Sequence, residues 1–311
     1  MAEVGPSSAE EAREAPLAAV LDILAGRAAE VGGHEVVRVL PTRARRMVGA
    51  WCFADHIGPR YVSADNGEHI APHPHTGLQT VTWLLAGELV HRDSLGSERI
   101  IRPGGLNLMT AGGGVAHSEE GVPGRSGSLH GIQLWVAQPS STRDLTPAFE
   151  HHGALPELTF ANLDATVFVG SFAGVASPAR ADTEHAGVQL ALGAGKTLVP
   201  LQPAWEYGLI MLSGLAEAEG EKLAPGSLYY LGGGRDELEL NTLAPGIAIL
   251  LGGLPFREKI LMWWNFVART REEITLAYRQ WQEDDRDRFP AVASKLARIP
   301  APRPMWLTSG D

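Results

Sequence analysis

The chain has 311 residues, about two domains at roughly 150 residues each. Its 26 Lys and Arg against 36 Asp and Glu give a net charge of −10, which argues against coating nucleic acid or anionic membrane through a basic face. A single cysteine, Cys52, excludes an internal disulfide framework and any multi-cysteine zinc site. The longest apolar runs, such as residues 247–251, fall far short of the roughly 20 residues that span a bilayer. Residues 1–16 show no basic stretch followed by an apolar core, so no signal peptide is expected and a cytoplasmic location is.

Residues 1–32 read as an appendage, partly helical or disordered. Ser7 and Ser8 each precede a glutamate by three residues, and Leu17, Val20, Leu21 and Leu24 recur at helical spacing. Pro16 starts or kinks that helix, and Gly32-Gly33 ends it. From residue 33 the pattern turns to β. Short runs at 36–40, 51–53, 80–85, 88–92, 99–101, 106–110 and 131–136 are separated by Gly- and Pro-rich turns, which predicts a first barrel over 33–140. Residues 141–160 read as a linker. A second series, at 165–170, 188–192, 207–212, 226–231 and 247–251, predicts a second barrel over 161–260. Strands of this length at intervals of about ten residues indicate antiparallel sandwiches or barrels. Both halves carry a strand, a Gly turn, a strand and a Pro-Gly turn, the mark of a duplication. In the segment 261–311, Thr270 and Glu273 form a capping box, with Ile274, Tyr278 and Trp281 on one helical face.

Histidine carries the chemistry. There are 11, and none lies beyond His185, so a histidine-based metal site belongs to the first barrel. In His73-Pro74-His75 the two rings share one face of an extended chain. His117-Ser118-Glu119 repeats the spacing 42 residues later, and neighbouring antiparallel strands can set the two pairs opposite each other. Three imidazoles and a carboxylate leave open positions on a divalent metal, as catalytic sites do. His56 and His69 read as turn or supporting groups, His91 and His130 as partly buried hydrogen-bonding residues, and His151-His152 as a solvated pair. Cys52, between Trp51 and Phe53, reads as a small core residue.

The run from His73 to Glu88, then His91-Arg-Asp-Ser-Leu-Gly96, then Met109 to Glu119, resembles the pirin family. His130 to Val136, Asp55-His56 and Met262-Trp-Trp-Asn-Phe-Val267 fit the same resemblance, which covers about residues 34–285. It implies an all-β bicupin: two jelly-roll cupin barrels, with a mononuclear iron in the N-terminal one and no metal in the other. The ligands it implies are His73, His75, His117 and Glu119, with other divalent transition metals also possible. Gln79 stands where the family often has Glu, which bears on the pocket's charge and on any acid–base role there. Two functional classes follow from the resemblance. One is oxygenation of a flavonol such as quercetin with O₂ and release of carbon monoxide, with Glu119 and Gln79 the residues nearest that chemistry. The other is metal-dependent binding to a transcription factor or a metabolic enzyme. A monomer that touches neither nucleic acid nor membrane is expected in both.

Overall fold

Glycine and proline punctuate short runs rich in β-branched and aromatic residues, and those runs fold as antiparallel strands. A computed structural model describes residues 17–63 and 69–307. Two barrels result, each a large sheet closed by a four-stranded one. In the N-terminal barrel the large sheet runs Ala148–His152, Leu106–Thr110, Leu78–Ala86, Gly127–Ala137, Trp51–Val62, His34–Leu40 and Arg27–Val31, each beside the next. Its small sheet is His69–His75, Val115–Gly121, Leu89–Asp93 and Glu98–Ile101. The C-terminal barrel repeats the plan around Glu206–Met211, Gly246–Gly253 and His185–Leu192.

Strand alternation decides what each residue meets. Val81 and Trp83, with Ile132 and Leu134, point out of the first barrel and pack against Ile210, Leu212, Ile249 and Leu251 of the second. Each such side chain, fully buried, stabilises the fold by about 1.5–3 kcal/mol. The indole of Trp83 stacks on Phe168 at 5.1 Å and donates from Nε1 to Gln189 Oε1 at 2.9 Å. The two barrels therefore share a core.

Their interiors differ. The C-terminal barrel is filled by one continuous apolar cluster that includes Leu190, Leu209, Tyr229 and Leu250. The N-terminal interior is divided into smaller clusters, one around Leu84 and Leu129, one around Phe53 and Trp135, one around Met109. A cavity of about 370 Å³ lined by histidines runs into it.

Two expectations are corrected. Residues 19–31 are not helical: Ala19–Ala25 pairs with Ser227–Gly232 of the second barrel, and Arg27–Val31 pairs with His34–Leu40 of the first. The register slips between Ala19 and Asp22, and Leu21 faces one core while Val20 and Leu24 face another. A bulged strand whose apolar residues turn toward two different cores loses its two-residue alternation and imitates helical spacing. Residues 141–160 are not a plain linker either. Ala148–His152 extends the first large sheet and Glu157–Phe160 the second. His151, expected as one of a solvated pair, is half-buried on Ala148–His152, and its Nδ1 lies 2.8 Å from Asn107 Oδ1. The glutamates expected to cap a helix at Ser7 and Ser8 lie outside the described residues.

The helix Arg271–Gln282 forms where Thr270 and Glu273 place it, with Thr270 Oγ1 accepting from the Glu273 backbone N–H at 3.2 Å. It buries Ile274, Ala277 and Trp281 against Phe266 and Phe289. The chain then returns over the N-terminal barrel, where the Ile299 N–H donates to Pro72 O at 2.8 Å. Among the described residues no helix is long and apolar enough to cross a membrane.

Candidate metal centre

His73 and His75 lie on His69–His75, and alternation turns both rings into the first barrel. The adjacent strand Val115–Gly121 runs antiparallel with His117 directly opposite His73. An irregularity between His117 and Glu119 follows, and Glu119 sits opposite His91 on the other neighbouring strand. The donor atoms of His73, His75 and His117 all fall within 4.8 Å of one another. A second group, His91, His117 and Glu119, meets the same limit and shares His117 with the first. All five side chains are buried. The Glu119 carboxylate also accepts from Thr82 Oγ1 of the large sheet at 2.8 Å. A larger hollow of about 760 Å³, lined by Arg92, Glu98 and Lys295, lies apart from both groups.

The hydrogen-bond partners fix the tautomers. A backbone carbonyl only accepts, so His73 Nδ1–H donates to Ala71 O at 2.9 Å and His75 Nδ1–H to Asn265 O at 3.2 Å. Asp93 accepts from His91 Nε2–H at 3.0 Å, and when His117 Nδ1–H donates to His91 Nδ1 at 3.3 Å the Nε2 of His117 is bare as well. In that arrangement each of the three clustered rings presents an unprotonated Nε2. Two of these, on His75 and His117, face each other at 3.1 Å. Lone pairs opposed at that distance repel, and a cation between them removes the repulsion.

Charge state agrees. Burial pushes His73 down to about 4. Burial and the neighbouring imidazoles hold His75 and His117 well below the usual histidine range. All three are neutral near pH 7, the form that binds metal without first losing a proton. The donor set fits a divalent transition metal.

Phe53, Trp135, Leu89 and Ile70 give the cavity apolar walls, and Trp264, Asn265 and Ile299 of the C-terminal segment line it as well. Gln79 does not line it. Thr82 faces into the barrel, so Gln79, three residues earlier on the same strand, faces out. Its amide donates to Thr110 Oγ1 at 2.9 Å, and its Oε1 is buried with no hydrogen-bond partner among the described residues. The acid–base position expected at Gln79 is therefore not in this pocket. His56 pairs with His130 at 2.9 Å on the outer face of the same barrel. Cys52 is buried in the core, which pushes its thiol up to about 12.

Residues 33–136 match the Pirin family and residues 187–287 match the Pirin C-terminal cupin domain. The chain belongs to the pirin family. A Pseudomonas aeruginosa protein provisionally named a quercetin 2,3-dioxygenase is 46% identical over 290 residues, covering 92% of this chain and 91% of its own. A pirin-like protein of Caulobacter vibrioides is 34% identical over 263 residues, covering 82% and 91%. The crystal structure of quercetin 2,3-dioxygenase from Acinetobacter baumannii superposes with a TM-score of 0.89 at 41% identity, covering 93% of this chain and 97% of that one. The bicupin architecture of the pirins is thus the architecture here.

Two features of this pirin site escaped sequence reasoning. His91, expected as a buried hydrogen-bonding residue, is one; that it supports His117 together with Asp93 was missed, although their H-x-D spacing, equal to that of His73 and His75, was the available signal. The Asn265 carbonyl that orients His75 lies 190 residues away and left none.

Proposed function

We propose that the N-terminal barrel holds one iron ion on His73, His75, His117 and Glu119, and that the chain oxygenates flavonols of the quercetin class. The observation that carries this reading is the convergence of three neutral imidazoles, each with Nε2 unprotonated, in a cavity with aromatic walls. A bound iron supplies Lewis acidity to an ionisable substrate hydroxyl and redox access to O₂. The chain's own residues do the rest. Ala71 O, Asn265 O and the His91–Asp93 pair hold the three rings in register. Thr82 restrains the Glu119 carboxylate. Phe53 and Trp135, stacked at 3.9 Å, offer a flat face to a planar substrate and exclude water. The likeness to the P. aeruginosa and A. baumannii proteins supports the choice of substrate class.

The test pairs metal analysis with turnover. Iron reconstitution should give close to one metal per chain, and quercetin in air should be consumed with release of carbon monoxide. An iron-loaded chain that neither shifts the quercetin absorption anaerobically nor releases carbon monoxide would remove the flavonol reading.

A further inference from the structure

One row of polar side chains crosses the interior face of the large sheet. Arg38, Asp55, Gln133 and Thr82 are paired residue to residue on four adjacent strands. Within the row Thr82 bonds Glu119, and Arg38 stands three strands away from it. Strands lie about 5 Å apart, so Asp55 stands about 10 Å from Thr82, the span of a flat molecule of two or three rings. An aromatic ladder accompanies it. The Arg38 guanidinium lies 4.5 Å over Phe53, Phe53 stacks on Trp135, and Trp135 meets the His75 ring edge-on at 5.1 Å.

This row is under-used by the fold itself. Arg38 donates from Nε and Nη2 to the two Asp55 oxygens at 2.7 Å, which among the described residues leaves three of its five N–H groups and a lone pair on each oxygen. Gln133 Oε1 is buried and has no hydrogen-bond partner among the described residues. All three residues line the histidine cavity. A charged pair inside a barrel is costly to desolvate and is weak evidence of a stabilising role. Burial raises the Asp55 carboxyl in spite of Arg38.

We propose that Arg38, Asp55 and Gln133 anchor the hydroxyl-bearing end of a flat aromatic substrate whose other end sits at the histidines. The proposal rests on the flavonol reading for the substrate class. The row offers donors from Arg38 and acceptors from Asp55 and Gln133, so it accepts phenolic hydroxyls and leaves these groups unpaired against a bare ring. The ladder fixes the plane in which the rings lie.

Anaerobic binding to the full iron-loaded chain, read by tryptophan fluorescence, tests this with three probes. Quercetin carries hydroxyls on both outer rings, galangin on one, and 3-hydroxyflavone on neither. Quercetin should bind at least about tenfold more tightly than 3-hydroxyflavone. Replacing both charged partners, Arg38→Met with Asp55→Leu, avoids stranding one charge and should erase that preference by weakening quercetin binding, with iron content kept and 3-hydroxyflavone bound no more weakly than before. Arg38→Lys retains the charge but not the planar fork and should fall between. Should the double variant fail to fold, Gln133→Leu carries the test and should lower the preference in part. Equal affinity of the wild type for all three probes, or a preference that survives these substitutions, overturns the anchor. A preference with no carbon monoxide from any probe leaves the anchor standing and removes the dioxygenase reading. Binding of none of the three removes both.

Discussion

At the scale of single residues, the site separates groups that would hold a metal from groups that aim them. His75→Ala and His117→Ala each remove a donor and should cut metal content sharply, read by elemental analysis after dialysis against a fixed free-metal level. His91→Ala removes no proposed ligand but frees the His117 tautomer, and should weaken metal binding by about 10–100-fold. Wild-type metal content in the His117 variant would show that the ring of donors is misassigned. Gln79→Glu should leave flavonol turnover unchanged, because that side chain faces away from the cavity; a faster variant would return it there. The histidine pairs were legible in sequence because an interval of two residues on a strand fixes a common face. The same parity rule, applied from Thr82 back along the strand, would have removed Gln79 from the pocket. It needed Thr82 known as an inward residue, and a threonine gives no such sign in sequence.

At the scale of elements, the strands announced themselves through turn chemistry, and the helix Arg271–Gln282 through Thr270 and Glu273. What sequence could not give is partnership across long separations. Ala19–Ala25 completes a sheet edge whose strand, Ser227–Gly232, lies some two hundred residues downstream. Val20 and Leu24 cover the core shared by the barrels. Deleting residues 1–25 should therefore lower the melting temperature and promote association through the bared edge of Ser227–Gly232. Calorimetry and sedimentation would read both effects. A truncated chain as stable and as dispersed as the full one would mean that this strand is dispensable, as a loosely docked helix would be.

At the scale of the whole molecule, burial of imidazoles sets a direction for acid sensitivity. His56 on the first barrel's outer face and His185 against Trp51 in the second are both pushed down to about 4 by burial. Unfolded histidine titrates near 6.5, so between about pH 6.5 and 4 the unfolded chain takes up protons that the folded chain refuses. Stability is complete above that window and falls on acidification within it, by up to about 1.4 kcal/mol per pH unit for each such residue. Urea unfolding of the metal-free chain at pH 7, 6 and 5 should show this loss, and His185→Gln should make it shallower. Midpoints that hold level across the range would contradict the burial of these rings. Stability of the pair of barrels and readiness for metal thus depend on one property, histidines kept neutral by an interior that disfavours charge.

The strap formed by residues 19–31 also imposes an order in time. Its first half has no partner until Ser227–Gly232 leaves the ribosome, and the cavity is not complete until Asn265 and Ile299 follow. At about 5–20 residues per second the strap waits roughly 10–40 s for that strand. The residues that would hold the metal are made early, yet the carbonyl that orients His75 is made near the end. Synthesis therefore builds the strands of the first barrel early and its cavity wall late, and a metal would meet the complete site only after residue 299 is made.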